Sequence, residues 1–283
     1  MGPDMAQTVA VIGTGSMGGM LLRASARYSP GQFRLLAAGR NENALAALAA
    51  AVPSLRTGPA RAVAGDADIV IVCVQPQNYL DVVAEIAPAM SDRAMLVSIT
   101  NGIALDALAG KTSAPIVKVI PSVTHECGRG VSLVMRGPRA TATDVAAVVA
   151  FFAPFSRPIE IPPAESRVAT NITGCGPALL AFFAAKWMRA NCERAVAIGD
   201  ATLATMVAET FAATAAMVEA GTSLDAIARA AATGGGMTQI AIETLAAGLP
   251  ELLDRMVDAT IQRERALQNQ QFNPHPTRKK GEQ

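Results

Sequence analysis

The chain has 283 residues, enough for one large domain or two smaller ones that each bury a core. Hydrophobic residues make up 51%, aromatics only 4% and charged residues 17%, so the apolar content comes from Ala, Val, Leu and Ile, and a largely disordered chain is excluded. A net charge of +1 gives no field to draw nucleic acid or an anionic membrane, and two histidines, His125 and His275, exclude a metal centre built on several imidazoles.

The N-terminal part alternates short β-branched runs with alanine-rich helical stretches. Strands are predicted over residues 8–12, 33–38, 69–74, 94–99, 116–120, 131–134 and 158–161, with helices over 17–27, 42–52, 78–90 and 144–152. The run at 69–74 is continuously apolar, as in a strand covered on both faces. This alternation predicts an α/β, doubly wound parallel sheet over residues 1–162. After Pro162-Pro163 the β-branched runs give way to long alanine-rich stretches punctuated by glycine, which predicts an all-helical domain over 163–267. Residues 268–283 are polar and rich in Pro and basic residues, and are expected to form a disordered tail. Cys73, Cys127, Cys175 and Cys192 form no C-x-x-C pair and read as free thiols in a reducing cytoplasm. Neither a signal peptide nor a membrane-spanning run is expected.

The first predicted strand leads into Gly13-Thr14-Gly15-Ser16-Met17-Gly18, a G-x-G-x-x-G run at the start of a predicted helix. In that context it is a dinucleotide-binding fingerprint: Gly13 for the tight turn, Gly15 for approach of a pyrophosphate, Gly18 for helix–sheet packing. The second strand ends in Gly39-Arg40-Asn41, with no acid to bond a ribose 2′-hydroxyl. Arg40 suits a 2′-phosphate and Asn41 adds a hydrogen bond, so NADP(H) is expected ahead of NAD(H). Two further strand ends, Val74-Gln75-Pro76-Gln77 and Thr100-Asn101-Gly102, belong to the same ligand crevice.

Taken in order, these segments resemble a family. The glycine loop, Val74-Gln75-Pro76-Gln77, Ser98-Ile99-Thr100-Asn101-Gly102-Ile103, Val117-Lys118-Val119-Ile120-Pro121-Ser122, Gly174-Cys175-Gly176-Pro177-Ala178 and Gly235-Gly236-Met237-Thr238 are similar to motifs of the pyrroline-5-carboxylate reductase family. The resemblance covers about residues 8–267. Cys175 and Leu179 replace a serine and a tyrosine of the family pattern, and Met237 replaces the first of two threonines. These variants resemble a divergent branch typified by late-competence, ComER-like proteins.

The resemblance implies NADPH-dependent reduction of the C=N bond of 1-pyrroline-5-carboxylate to L-proline. It also implies a helical dimerisation domain, hence a homodimer or larger homo-oligomer. The substrate carboxylate is expected at Gly235 and Gly236, with the Thr238 hydroxyl on the ring nitrogen and Cys175 and Ser122 nearby. His125 is a candidate general acid, set against an ordinary structural histidine. Lys186 lies too far beyond Gly176 to match the catalytic lysine of the β-hydroxyacid dehydrogenases. Two alternatives stay open: a reductase of the same design for another cyclic imine or a carbonyl acid, and a non-catalytic dinucleotide-binding regulator.

Overall fold

The structure, a computed structural model, describes residues 6–272. Its centre is an eight-stranded sheet in the order β3-β2-β1-β4-β5-β6-β7-β8. The strands are β1 (Thr8–Ile12), β2 (Arg34–Ala38), β3 (Arg56–Thr57), β4 (Ile69–Val72), β5 (Met95–Ser98), β6 (Ile116–Ile120), β7 (Val131–Arg136) and β8 (Arg157–Glu160). Side chains alternate across the sheet, so Val9 and Val11 enter one apolar cluster while Ala10 and Ile12 enter another on the opposite face. Both faces are covered, which is why β1 and β4 are buried along their whole length and read as unbroken apolar runs. The first cluster rests on α1 (Ser16–Tyr28), α2 (Glu42–Ala51) and α6 (Ala142–Phe152), the second on α3 (Ala60–Gly65), α4 (Tyr79–Ile86) and α5 (Leu105–Ala109).

The sheet is parallel except at one place. β6 and β7 pair antiparallel, Val117 opposite Arg136 through Ile120 opposite Leu133. A parallel crossover needs roughly a dozen residues or more and usually a helix. Residues 121–130 hold only a 3-10 turn (Val123–Cys127) and two glycines of positive φ, Gly128 and Gly130, so the chain reverses instead. α6 then allows β8 to return parallel to β7. The short β3, absent from the sequence reading, extends the opposite edge through Leu36–Arg56 and Ala37–Thr57 pairing.

The chain divides into two compact units. One joins the residues up to Cys175 to those from Thr260 onward; the other is Gly176–Ala259. α7 (Ser166–Thr173) therefore groups with the sheet, where Ala169 packs on Ile120, Leu133 and Met135. The second unit contains α8 (Gly176–Cys192), α9 (Asp200–Glu219), α10 (Leu224–Ala231), α11 (Met237–Ala246) and the first part of α12 (Leu249–Phe272). α12 continues beyond residue 267, and residues 273–283 of the expected tail lie outside the described residues.

No described residue of the helical unit is buried. Leu180, Phe182, Phe183, Trp187, Met206 and Ile240 are all exposed. The helical stretch Pro163–Cys192 and α9 are long and apolar enough to cross a membrane by length and composition alone. This departs from the sequence reading, because alanine-rich helices with few charges reach that threshold without a continuous run of large residues. A surface of this kind is one that a folded chain covers with another apolar surface. If that cover is a second copy, the melting temperature rises with protein concentration and Phe182→Asp yields a smaller sedimenting species with less helix. A concentration-independent melt of a monomer would contradict it.

Candidate active site

The glycine run occupies the turn between β1 and α1. Gly13 has φ +104°, a conformation that L side chains rarely adopt, and a Cβ there would stand 2.7 Å from the Cys73 carbonyl oxygen. A Cβ on Gly18 would run into the Gly13 carbonyl oxygen, so the first turn of α1 lies directly against the loop. Gly15 instead faces open space. The loop is fixed to the sheet on both sides: the Gly13 N–H donates to the Ala38 carbonyl at 2.8 Å and the Cys73 N–H to the Ile12 carbonyl at 2.7 Å. α1 starts after Gly15 with no side-chain cap and no acidic residue in its first turn. Its leading N–H groups and positive dipole end are left for an anion, beside Thr14, Ser16 and Met17. The three glycine positions thus fit a pyrophosphate cradle.

β1, β2, β4 and β5 are parallel, so their C-terminal ends share one sheet edge. At the end of β2, Arg40 and Asn41 are exposed. Asn41 caps α2, its Oδ1 accepting from the Ala44 N–H at 3.0 Å, which leaves its NH2 as the donor end. Arg40 follows Gly39, whose Cβ position is filled by the Thr14 hydroxyl. Beyond β4, Val74 precedes Gln75, Pro76 and Gln77, which are exposed on a 3-10 turn (Pro76–Asn78); the Gln77 amide donates to Gln75 Oε1.

The loop after β5 is held by its own side chains. The Thr100 hydroxyl accepts the Gly102 N–H at 3.3 Å. The Asn101 side chain turns to α7: its Nδ2 donates to Thr170 Oγ1 at 2.7 Å, and its Oδ1 accepts from Ser166 Oγ at 2.5 Å. Both ends of that carboxamide are engaged within the protein.

Ser122 and His125 form a capping arrangement. Ser122 caps the 3-10 turn and accepts from the Thr124 hydroxyl at 2.9 Å. His125 is fully buried against Phe155, with ring centroids 5.9 Å apart. Its Nε2 accepts the Ser122 N–H at 3.0 Å and lies 2.9 Å from Ser132 Oγ; its Nδ1 donates to the Arg129 carbonyl at 3.1 Å. These partners select the neutral Nδ1–H tautomer, and burial holds the ring below the usual histidine range. A ring with both nitrogens engaged inside the core has no proton directed at a ligand.

Cys175 is half-buried just past α7. The Thr170 carbonyl accepts the N–H groups of Gly174 and Cys175, both at 2.9 Å, and the Arg167 guanidinium donates to Cys175 Sγ at 3.5 Å. Gly235, Gly236 and Thr238 belong to the helical unit. Gly235 has φ +75°, and its N–H donates to Gln239 Oε1 at 2.8 Å, while the Gly236 N–H donates to the Thr233 carbonyl at 2.8 Å. The two N–H groups expected to hold a carboxylate are thus engaged within the loop. α11, however, opens at Gly236 without a side-chain cap, so the N–H groups of Met237 and Thr238 have no acceptor inside the helix. Lys186 is on the surface of α8, with Nζ 5.3 Å from the Phe182 ring centroid.

Several polar residues escaped the sequence reading. Lys118, in the middle of β6, is buried, and its Nζ donates to the Ile103 carbonyl at 2.6 Å. Burial pushes its ammonium down to about 8, opposed by Glu264. Arg167 lies 3.8 Å from Glu264, whose carboxyl burial pushes up against the pull of Arg167 and Lys118. These three line a cavity of about 730 Å3. A charge within the apolar run Ile116–Ile120 was the available signal, since a lysine there must find a partner.

The state of His125 gives a pH dependence. Its folded pKa lies below the unfolded value near 6.5, so the unfolded chain takes up the proton first. Stability from this group is present above the unfolded value near 6.5 and is lost as pH falls through it toward the folded pKa, by at most about 1.4 kcal/mol per unit. Thermal melts from pH 7.5 to 5.5 are expected to fall, and the slope to flatten in His125→Gln. An unchanged slope in that variant would assign the effect to other groups.

Comparison with known proteins adds the family. Residues 8–102 match the family described as NADP oxidoreductase coenzyme F420-dependent, and residues 163–267 match pyrroline-5-carboxylate reductase dimerisation. Pyrroline-5-carboxylate reductase 3 of Bacillus subtilis is 24% identical over 266 residues, covering 93% of this chain and 98% of its own. ComE operon protein 4 of the same organism is 27% identical over 195 residues, covering 68% of this chain and 71% of its own. Solved structures share the fold: a Plasmodium falciparum pyrroline carboxylate reductase with NADP bound (TM-score 0.82, 20% identity, 93% of this chain and 98% of that one) and a pyrroline-5-carboxylate reductase from Coxiella burnetii (TM-score 0.83, 18% identity, 93% and 99%). Its two parts thus match in order, the second to the pyrroline-5-carboxylate reductase dimerisation family, and along nearly its whole length the chain is similar to a pyrroline-5-carboxylate reductase.

Proposed function

We propose that the protein is an NADPH-dependent reductase of 1-pyrroline-5-carboxylate, forming L-proline, and that it works as a homodimer or larger homo-oligomer. The observation that carries this reading is the open Gly15 cradle under the uncapped start of α1, at the sheet edge that also bears Arg40 and the 75–77 and 100–102 loops. Gly13 through Gly18 would hold the pyrophosphate and Arg40 the 2′-phosphate, with the Asn41 amide as a second donor. The bound nicotinamide supplies a hydride.

The side chains then need only bind and orient. A protonated cyclic imine is already electrophilic, so its reduction needs no strong side-chain acid, unlike a ketone whose forming alkoxide must be protonated. The buried state of His125 accords with this: it shapes the turn after β6. The N–H groups at the start of α11 and the Thr238 hydroxyl suit a carboxylate and a ring nitrogen, with Gln239 leaving Gly235 when a carboxylate replaces it. Self-association would cover the apolar helices of the second unit. A second reading, a reductase of another cyclic imine, draws on Met237, which stands 84% exposed at that helix start where the family pattern has a threonine.

NADPH oxidation with 1-pyrroline-5-carboxylate tests the reading directly: turnover is expected, and tight NADPH binding without turnover on this imine would sink it. Arg40→Asp should move the cofactor preference toward NADH by about tenfold or more, through loss of a charge-assisted contact. Thr238→Ala should raise KM for the imine several-fold and leave the Kd for NADPH nearly unchanged; equal losses of both would remove Thr238 from the substrate site.

A further inference from the structure

We infer that Asn101 is a positioning residue, a clasp that fixes the loop after β5 to the helix leading into the Gly174-Cys175 turn. The hydrogen bonds define their own directions. The Thr170 hydroxyl donates to the Ser166 carbonyl at 2.6 Å, so toward Asn101 it has only lone pairs to offer. The amide NH2 must therefore face Thr170, and Oδ1 faces the Ser166 hydroxyl, which donates to it. The carboxamide is held at both ends, half-buried, by the first and second turns of α7.

The connection continues in both directions. Thr170 takes the Asn101 amide on its side chain and the Gly174 and Cys175 N–H groups on its carbonyl. One buried residue thus ties the crevice loop to the turn that ends α7. On the other side, the Lys118 ammonium, inside β6, donates to the carbonyl of Ile103, two residues beyond Asn101. The 100–103 loop is braced by a strand behind it and a helix in front. Such a loop cannot shift relative to Gly174-Cys175 unless one of these bonds breaks.

This rests on the proposed reaction. If the 100–102 loop borders the cofactor and the Gly174-Cys175 turn borders the imine, the clasp sets the distance between hydride donor and acceptor. Asn101 then acts through Thr170 without touching either ligand. Misplacement on the ångström scale from a remote change can cost about a hundredfold in rate.

The test compares Asn101→Ala, Thr170→Val and Thr170→Ser with the unmodified protein. Asn101→Ala and Thr170→Val should lower kcat by about tenfold or more, with the Kd for NADPH changed less than about twofold. With cofactor deuterated at the transferred position, both should show a larger kinetic isotope effect, since hydride transfer becomes slower relative to release. Thr170→Ser keeps the hydroxyl and should behave like the unmodified protein. A fall in melting temperature with kcat and isotope effect unchanged would reduce the clasp to a structural bond. A Kd for NADPH rising in step with the loss of kcat would make Asn101 a cofactor ligand and overturn the inference. Hydrogen exchange separates this from the choice of substrate. Even if the unmodified protein leaves 1-pyrroline-5-carboxylate unreduced, Asn101→Ala should speed exchange in residues 99–103 and 166–175 together, and unchanged protection in 166–175 would overturn the clasp.

Discussion

The contact between the first turn of α1 and the glycine loop beneath it orders the rest of the sheet unit. With no Cβ at Gly18, the helix comes down onto the Gly13 carbonyl, and with none at Gly13 the loop lies against the end of β4. Those two approaches fix α1 over β1 and β4. They also direct an uncapped helix start at the edge where the parallel strands end. A Cβ at either position would meet backbone, the Cys73 carbonyl at Gly13 and the Gly13 carbonyl at Gly18, and would push helix and strand apart. The binding edge and the core are therefore products of the same packing.

Beyond that edge, buried polar groups decide the local shapes. His125 closes the turn after β6 with a ring that accepts one backbone N–H and donates to one backbone carbonyl, and Lys118 crosses an apolar strand to reach Ile103. Each group is costly to bury unless its partners are in place, so each specifies one arrangement of the chain around it. The loops that follow β5 and β6 owe their shapes to such partners together with their own turn residues.

The glycine spacing, the unbroken apolar strands and the change to glycine-punctuated helices were legible because each depends on neighbours within a few residues. The reversal at β7 was less so: its cause is the length of the 121–130 connection, whose 3-10 turn is too compact for a crossover, and strand patterns carry no direction. Asn101 and His125 stand out in the sequence as polar residues in loops at strand ends. The partners of their side chains lie far away in sequence for Asn101, at Ser166 and Thr170, and inside the core for His125, at Ser132 and Phe155. The Gly235 and Gly236 amides show a nearer version of the effect. Gln239, one helical turn on, is an acceptor that the glycine pattern alone does not reveal.

The two units differ in how their stability is secured. The sheet unit has an interior on each face, closed by helices drawn from the same chain. The helical unit contains four complete helices and part of a fifth, yet none of its described residues is buried, although Phe, Trp, Leu and Met side chains are plentiful on them. Helix propensity in an alanine-rich sequence can form such helices locally, but holding them packed requires apolar area removed from water. That area must come from outside the unit. Any ligand group recognised at the uncapped start of α11 is then held by a helix whose own position depends on what covers its apolar face, so assembly and substrate binding are expected to be coupled in this protein.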